Sequence, residues 1–233
     1  MLNKSVSDFV SMKKTVLFDL FHTLTALEST WSSGPMTSEY LGVSKEAWNE
    51  QLLEKSKQRL TGEEKDPFTI IKNMAHVINP NIPIELIHKA TQNRILRFEG
   101  ALVNIPENTI NTLKTLKSMN KKIGLISNAD VSEIFSWKKS PIAEYFDSVV
   151  FSCDIGLVKP DREIYEYSLK ALNTKPEDAV FIGDGGSNEL YGAKQVGLST
   201  IIITEIIKEI WPDKIESRKV YADYVIENIN ELI

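Results

Sequence analysis

The chain predicts an α/β fold: a doubly wound, parallel, Rossmann-like sheet with a helical subdomain inserted into it. Three observations carry that prediction. Six short β-rich runs recur along the 233 residues, and they are apolar nearly throughout rather than alternating, as strands covered on both faces must be. Helical patterns separate most of them, which is the rhythm of a doubly wound sheet. Between Leu24 and Pro106 the alternation stops and only helical signals remain, over an interval too long for a loop.

Taken in order, residues 1–12 read as an extension, with Met12 a candidate natural start. The first strand is TVLFDL (15–20). Ser44 is placed to cap a helix carrying Trp48, Leu52, Leu53 and Leu60. Asp66-Pro67 pairs a capping residue with a first-turn proline, ahead of Ile70, Ile71, Met74, Val77 and Ile78 on one face. Pro83 opens a further helix with Ile84, Ile87, Ile95 and Phe98 inward. These helices define an insert over 25–105, hinged near 25–30 and 99–105, in a core built from 13–24 and 106–233. Trp31, Met36 and Tyr40, just past the first hinge, read as packing within the insert.

After Pro106 comes a helix with Ile110, Leu113 and Leu116 on one stripe, then the strands KIGLISN (122–128) and SVVFSC (148–153). A helix over 161–172, the strand AVFIGD (179–184) and a helix over 187–196 that stops before Gly197 follow. STIIIT (199–204) and DYVI (223–226) complete the sheet.

The composition, 42% hydrophobic and 25% charged, suits a packed domain rather than disorder. A net charge of -5 gives no electrostatic reason to expect nucleic acid or an anionic membrane as partner. The single cysteine, Cys153, excludes an internal disulfide framework and fits a reducing compartment. No run approaches the ~20 apolar residues needed to span a bilayer, and the N-terminus lacks the apolar core of a signal peptide. A cytoplasmic protein is expected.

In an open parallel sheet, ligands bind beyond the carboxyl ends of the strands. The residues there are Asp19, Ser127-Asn128, Lys159 within DIGLVKPD, and Asp184 ahead of GGSNE. Each alone is ordinary turn or surface chemistry. Together they form a set with a purpose. A carboxylate can attack phosphorus to give an aspartyl-phosphate. Mg²⁺ on one or two carboxylates, with a lysine, relieves the repulsion between that nucleophile and a phosphate dianion. A hydroxyl and backbone N–H groups hold the equatorial oxygens.

These stretches resemble the four motifs of the haloacid dehalogenase-like hydrolases, over roughly residues 14–230. FDLFHTL resembles the first motif, which implies Asp19 as nucleophile and Thr23 as the matched threonine. ISN resembles the second, implying Ser127 as phosphate binder with Asn128 beside it. GLVKPD resembles the third, implying Lys159 as charge stabiliser. GDGGSNEL resembles the fourth, implying Asp184 and Glu189 at the acidic positions of a magnesium site that also takes the Phe21 backbone carbonyl. The helical insert is similar to this family's small cap. The resemblance implies a magnesium-dependent hydrolase of a small phosphorylated metabolite.

One position departs. Phosphatases of the family usually carry a second Asp, as general acid and base, where this chain has Phe21. Such catalysis contributes typically 10²–10⁴-fold, so the substitution matters. The carbonyl is unaffected by side-chain identity, so the metal site is expected to survive. C–halogen dehalogenases also carry an aromatic residue there, but they lack the Gly183-Asp184 type of metal motif. Phosphonate hydrolases recruit a cap lysine, whereas Lys45, Lys55, Lys57, Lys65, Lys72 and Lys89 read as solvated. A phosphate-binding protein without turnover is the remaining alternative. His22 adjoins the nucleophile and titrates in a useful range, but its position varies in the family; His76 and His88 read as surface or packing residues.

Overall fold

The computed structural model describes residues 5–53 and 56–233, so Lys55 lies outside the described residues. Six strands form one wholly parallel sheet: β1 (Thr15–Phe18), β2 (Lys122–Ser127), β3 (Ser148–Phe151), β4 (Ala179–Gly183), β5 (Ser199–Ile203) and β6 (Tyr224–Ile226). Their spatial order is β3-β2-β1-β4-β5-β6. The order runs outward both ways from the β1–β4 pair, where Thr15 lies opposite Ala179. The crevice beyond the carboxyl ends of those two strands is therefore the topological switch point.

Alternating residues of β1 supply both faces. Val16 and Phe18 pack with Leu113 and Leu116 of the helix Glu107–Ser118, while Leu17 packs on the other side with Ile164 and Leu169 of Arg162–Ala171. Burying each such aliphatic side chain contributes roughly 1.5–3 kcal/mol, and no polar face remains. Within the stretch that reads as an extension, the described residues form a helix. Val6–Met12 is a helix capped by the Ser5 hydroxyl, with Val10 fully buried and Phe9 4.6 Å from the Tyr224 ring.

Between β1 and β2 the described residues hold helices and turns: Thr37–Leu41, Lys45–Leu53, Lys57–Leu60, Pro67–Ile78 and Ile84–Val103. They enclose a core of their own around Leu41, Trp48, Ile70, Ile71, Met74 and Ile87. Ser44 does accept from the Ala47 N–H, and Asp66 from that of Thr69. The expected stripes need correction at four places. Adjacent residues on a helix point about 100° apart, so Leu52 packs and Leu53 is exposed, and Ile78 packs while Val77 is exposed. Leu60 belongs to the separate turn Lys57–Leu60, and Ile84, first in its helix, faces water. The buried side of Ile84–Val103 holds Arg94 and Arg97 besides Ile87 and Ala90, because Arg94 meets Glu133 of the core and Arg97 meets Glu28 at the first hinge. Trp31 is buried, Tyr40 half-buried and Met36 exposed.

The insert packs directly on the core just beyond β3. Gly62 has φ +70°, and a Cβ there would lie 2.0 Å from the Cys153 carbonyl oxygen; only glycine permits that approach. Cys153 itself lies in the short helix Ser152–Ile155 rather than at a strand end, and burial pushes its thiol up to about 12. No described helix is long and apolar enough to cross a membrane.

Candidate active site

β1 ends at Phe18, and the next residue, Asp19, is held by its N–H donating to the Ile182 carbonyl of β4 at 2.9 Å. β4 ends at Gly183, delivering Asp184 beside it, and the following turn leads into Glu189–Gln195. Glu189 folds back under the sheet edge, where a Cβ on Gly183 would come within 2.1 Å of Glu189 Oε1. The glycine ahead of Asp184 is thus what lets that carboxylate in. One oxygen each of Asp19, Asp184 and Glu189 lies within 4.8 Å of the others, and all three residues are buried.

Lys159 brings the charge that makes this tolerable. Its Nζ donates to Asp19 Oδ1 at 2.5 Å and to Glu189 Oε2 at 2.6 Å, with only 4% of the residue exposed. Burial alone would push the ammonium down, but the two carboxylates outweigh it and hold it above its usual range. Burial lifts Glu189 to about 8, against the pull of Lys159 and with help from Asp19 and Asp184. Glu189 Oε1 also accepts from Gly185 N–H at 2.9 Å, so both of its oxygens are engaged.

Thr23 donates to Asp19 Oδ2 at 3.1 Å. Asn128 is committed to Lys159: its amide donates to the Lys159 carbonyl at 2.9 Å and its Oδ1 accepts from the Lys159 N–H at 2.8 Å. Ser127, at the end of β2, is 1% exposed and its hydroxyl has no partner. An orphaned buried hydroxyl costs free energy unless a ligand satisfies it. Of the side chains predicted with Asp19, Thr23 and Lys159 bond it directly, and Glu189 and Asn128 join through Lys159. Ser127 ends the neighbouring strand β2, and Asp184 lies in the same carboxylate group.

The fit to a divalent ion follows from donor chemistry. A carboxylate offers about four lone-pair sites. Asp19 uses one bond on each oxygen, to Lys159 and Thr23. Asp184 likewise accepts from Gly186 N–H and from Arg218. Both retain acceptor capacity, as a hard oxygen-seeking cation requires. Glu189, also with one bond on each oxygen, keeps the same capacity and stands in the same carboxylate group.

Several residues around the site have contacts that the motifs did not indicate. Phe21 is not an empty substitution: its ring packs 5.7 Å from Trp31 and 5.2 Å from Phe98, joining the first motif to the insert. His22 has φ +62°, a conformation usually left to glycine. Its ring stacks on Trp31 and its Nε2 meets Glu28 Oε1 at 2.9 Å. That bond leads the causes holding the Glu28 carboxyl below its ordinary value. Across the interface, Arg59 donates to Asp130 at 2.8 Å and Arg94 to Glu133 at 2.5 Å, in a buried four-charge cluster. The Asp130-x-x-Glu133 capping box was readable in the sequence; its arginine partners, about 40 and 70 residues away, were not.

The profile of the haloacid dehalogenase-like hydrolases matches residues 13–197. The chain belongs to that family. Among curated relatives it is 35% identical over 136 residues to the glyceraldehyde 3-phosphate phosphatase of Methanocaldococcus jannaschii, a match spanning 57% of each protein. It is 28% identical over 133 residues to the pyrophosphatase PpaX of Bacillus mycoides, covering 57% of this chain and 60% of that one. Its fold is shared with a HAD phosphatase of Thermococcus onnurineus, at TM-score 0.59, 24% identity and 94% and 95% coverage. It is shared equally with a dehalogenase determined as an intermediate complex, at TM-score 0.69, 19% identity and 95% and 96% coverage. The family's hydrolase fold is therefore present along nearly the whole chain.

Proposed function

We propose that this hydrolase cleaves small phosphorylated molecules in a magnesium-dependent reaction through Asp19. The observation that carries the reading is the pairing of a buried carboxylate group, Asp19 and Asp184 with Glu189, with an unpartnered buried hydroxyl on Ser127. Carboxylates alone would repel a phosphate; an orphaned donor beside them is what an anionic ligand satisfies. The relatives named as phosphatases support the same class.

Asp19 attacks phosphorus with one carboxylate oxygen while the ester oxygen leaves with the bonding pair. Thr23 orients Asp19 through its hydroxyl. Lys159 bears on the transferring phosphoryl group from the nucleophile's side, held in place by Asn128 and Glu189. Ser127 donates to a phosphoryl oxygen. Water then attacks phosphorus, freeing phosphate and restoring Asp19. Bound to Asp19, Asp184 and the Phe21 carbonyl, Mg²⁺ would neutralise the phosphate charge.

Phe21 brings no proton to the leaving group, and its ring is locked against Trp31 and Phe98. Substrates whose leaving group departs as a stable anion, acyl and aryl phosphates, suit such a site best. The helical insert, seated over the carboxyl ends of the strands, acts as the cap that encloses them.

A panel of phosphorylated metabolites and aryl phosphates, assayed with Mg²⁺ and with chelator, tests this. Metal-dependent phosphate release with acyl or aryl phosphates preferred is expected. Chloride release from 2-chloropropionate, or no turnover of any phosphate, would overturn it.

A further inference from the structure

The segment between β5 and β6 returns over the switch point and brings one more cation to it. Arg218, last residue of the short helix Ile215–Arg218, donates from one terminal nitrogen to Asp184 Oδ2 at 2.6 Å and to the Asp184 carbonyl at 3.2 Å. Its stem is held against Gly185, and its guanidinium lies 5.0 Å from the Trp211 ring. Trp211 in turn meets His22 edge-on at 5.1 Å. Lys159 serves Asp19 and Glu189, and Arg218 serves Asp184. The two cations differ in access: the Lys159 side chain is 2% exposed and that of Arg218 15%.

We propose that Arg218 is the resident counter-cation of Asp184, holding its outer oxygen in the metal-free protein and competing with the divalent ion for it. The proposal rests on Asp19 and Asp184 being the metal's carboxylates. A magnesium ion binds its oxygens at about 2.0–2.1 Å, so it would stand within a few ångströms of a guanidinium bonded to the same carboxylate. Two cations that close, in a partly buried site, repel each other strongly. The guanidinium is the one that moves, since it sits at the solvent edge. Arg218 thereby keeps the site assembled without metal and sets how readily metal enters. Its departure also uncovers Trp211, which gives the exchange a spectroscopic signature.

Calorimetric titration of Mg²⁺ into the metal-free full chain, wild type against Arg218→Met, tests the competition, with tryptophan fluorescence followed in parallel. Arg218→Met is expected to bind the ion roughly tenfold more tightly, within the usual range of coupling between two ligands, and to melt lower without metal. Wild-type fluorescence should change on metal addition, and Trp211→Phe should lose that change. If Arg218→Met does not fold, Arg218→Gln, which can keep a hydrogen bond without the charge, should bind the ion roughly tenfold more tightly than wild type. Equal or weaker binding by the variants, or a metal-insensitive Trp211, overturns the competition. Absence of metal binding in every form overturns the magnesium reading itself.

Discussion

Replacing Lys159 by Met removes the cation on which two buried carboxylates depend. Asp19 and Glu189 are 7% and 1% exposed and bond the same ammonium at 2.5 and 2.6 Å. Breaking a buried ion pair from one side costs about 3–5 kcal/mol, because the remaining charge stays desolvated or must take up a proton. Glu189, already lifted to about 8, takes the proton readily, which places the cost near ~3 kcal/mol. In a chain of this size each kcal/mol shifts the melting temperature by roughly 2–4 °C, so metal-free Lys159→Met should melt about 6–12 °C below wild type. The sign with pH follows from proton counts. Carboxylates whose folded pKa is raised bind more protons folded than unfolded, so stability falls as pH rises toward that raised pKa. Wild type and Lys159→Met hold the Glu189 proton alike in acid, and without Lys159 the variant keeps it to higher pH. The deficit should therefore stay level in acid and widen from about pH 7 to about pH 9, through the wild-type value of about 8. Mg²⁺ supplies two charges to the same group and should recover part of the loss. Differential scanning fluorimetry across that range, with Mg²⁺ and with chelator, measures all three effects. A variant within ~2 °C of wild type, or a deficit untouched by both pH and Mg²⁺, would refute the reasoning.

Phe21→Asp places a carboxyl between the Trp31 and Phe98 rings, so it should lower the melting temperature while raising turnover of alkyl phosphates by about 10²-fold, the lower range of acid–base catalysis; a folded variant with no gain contradicts the account of this position. Ser127→Ala removes a buried hydroxyl without partner and should leave the free protein as stable as wild type or more so, while inhibition by inorganic phosphate weakens about tenfold for one lost hydrogen bond to a charged group; unchanged inhibition places phosphate elsewhere. Glu28→Gln tests a depressed carboxyl: its contribution exists above the unfolded pKa and vanishes as pH falls through the folded one, so the variant's melting deficit at neutral pH should close in acid. A deficit constant with pH would assign Glu28 a packing role alone.

The sheet was legible because parallel strands covered on both faces are apolar nearly throughout, and β1 through β6 keep polar residues such as Thr15, Lys122, Ser127 and Ser199 at or near their ends. The residues of the candidate site were legible because strand ends are where such a sheet binds ligands, and Asp19, Ser127 and Asp184 each follow an apolar run. What escaped the sequence is whatever depends on long-range pairing. Arg94 reads as a polar position on an amphipathic helix until Glu133, 39 residues on, meets it. Arg218 reads as one charge in a polar stretch, yet it reaches Asp184 across 34 residues. Asn128 looks ligand-facing by position, and its engagement of the Lys159 backbone emerges only when β2 and the third motif are folded together. Phe21 was visible as a departure; that it forms an aromatic bridge to Trp31 and Phe98 depends on where the insert lands.

The central claim is that Asp19 attacks phosphorus and is itself restored by attack of water at phosphorus. Single turnover of an aryl phosphate in water labelled with heavy oxygen, read by mass spectrometry of both product and protein, tests it directly. The account predicts label in the released phosphate and an unlabelled Asp19 carboxylate; label in Asp19, the mark of an ester opened at the side-chain carbonyl, would contradict it.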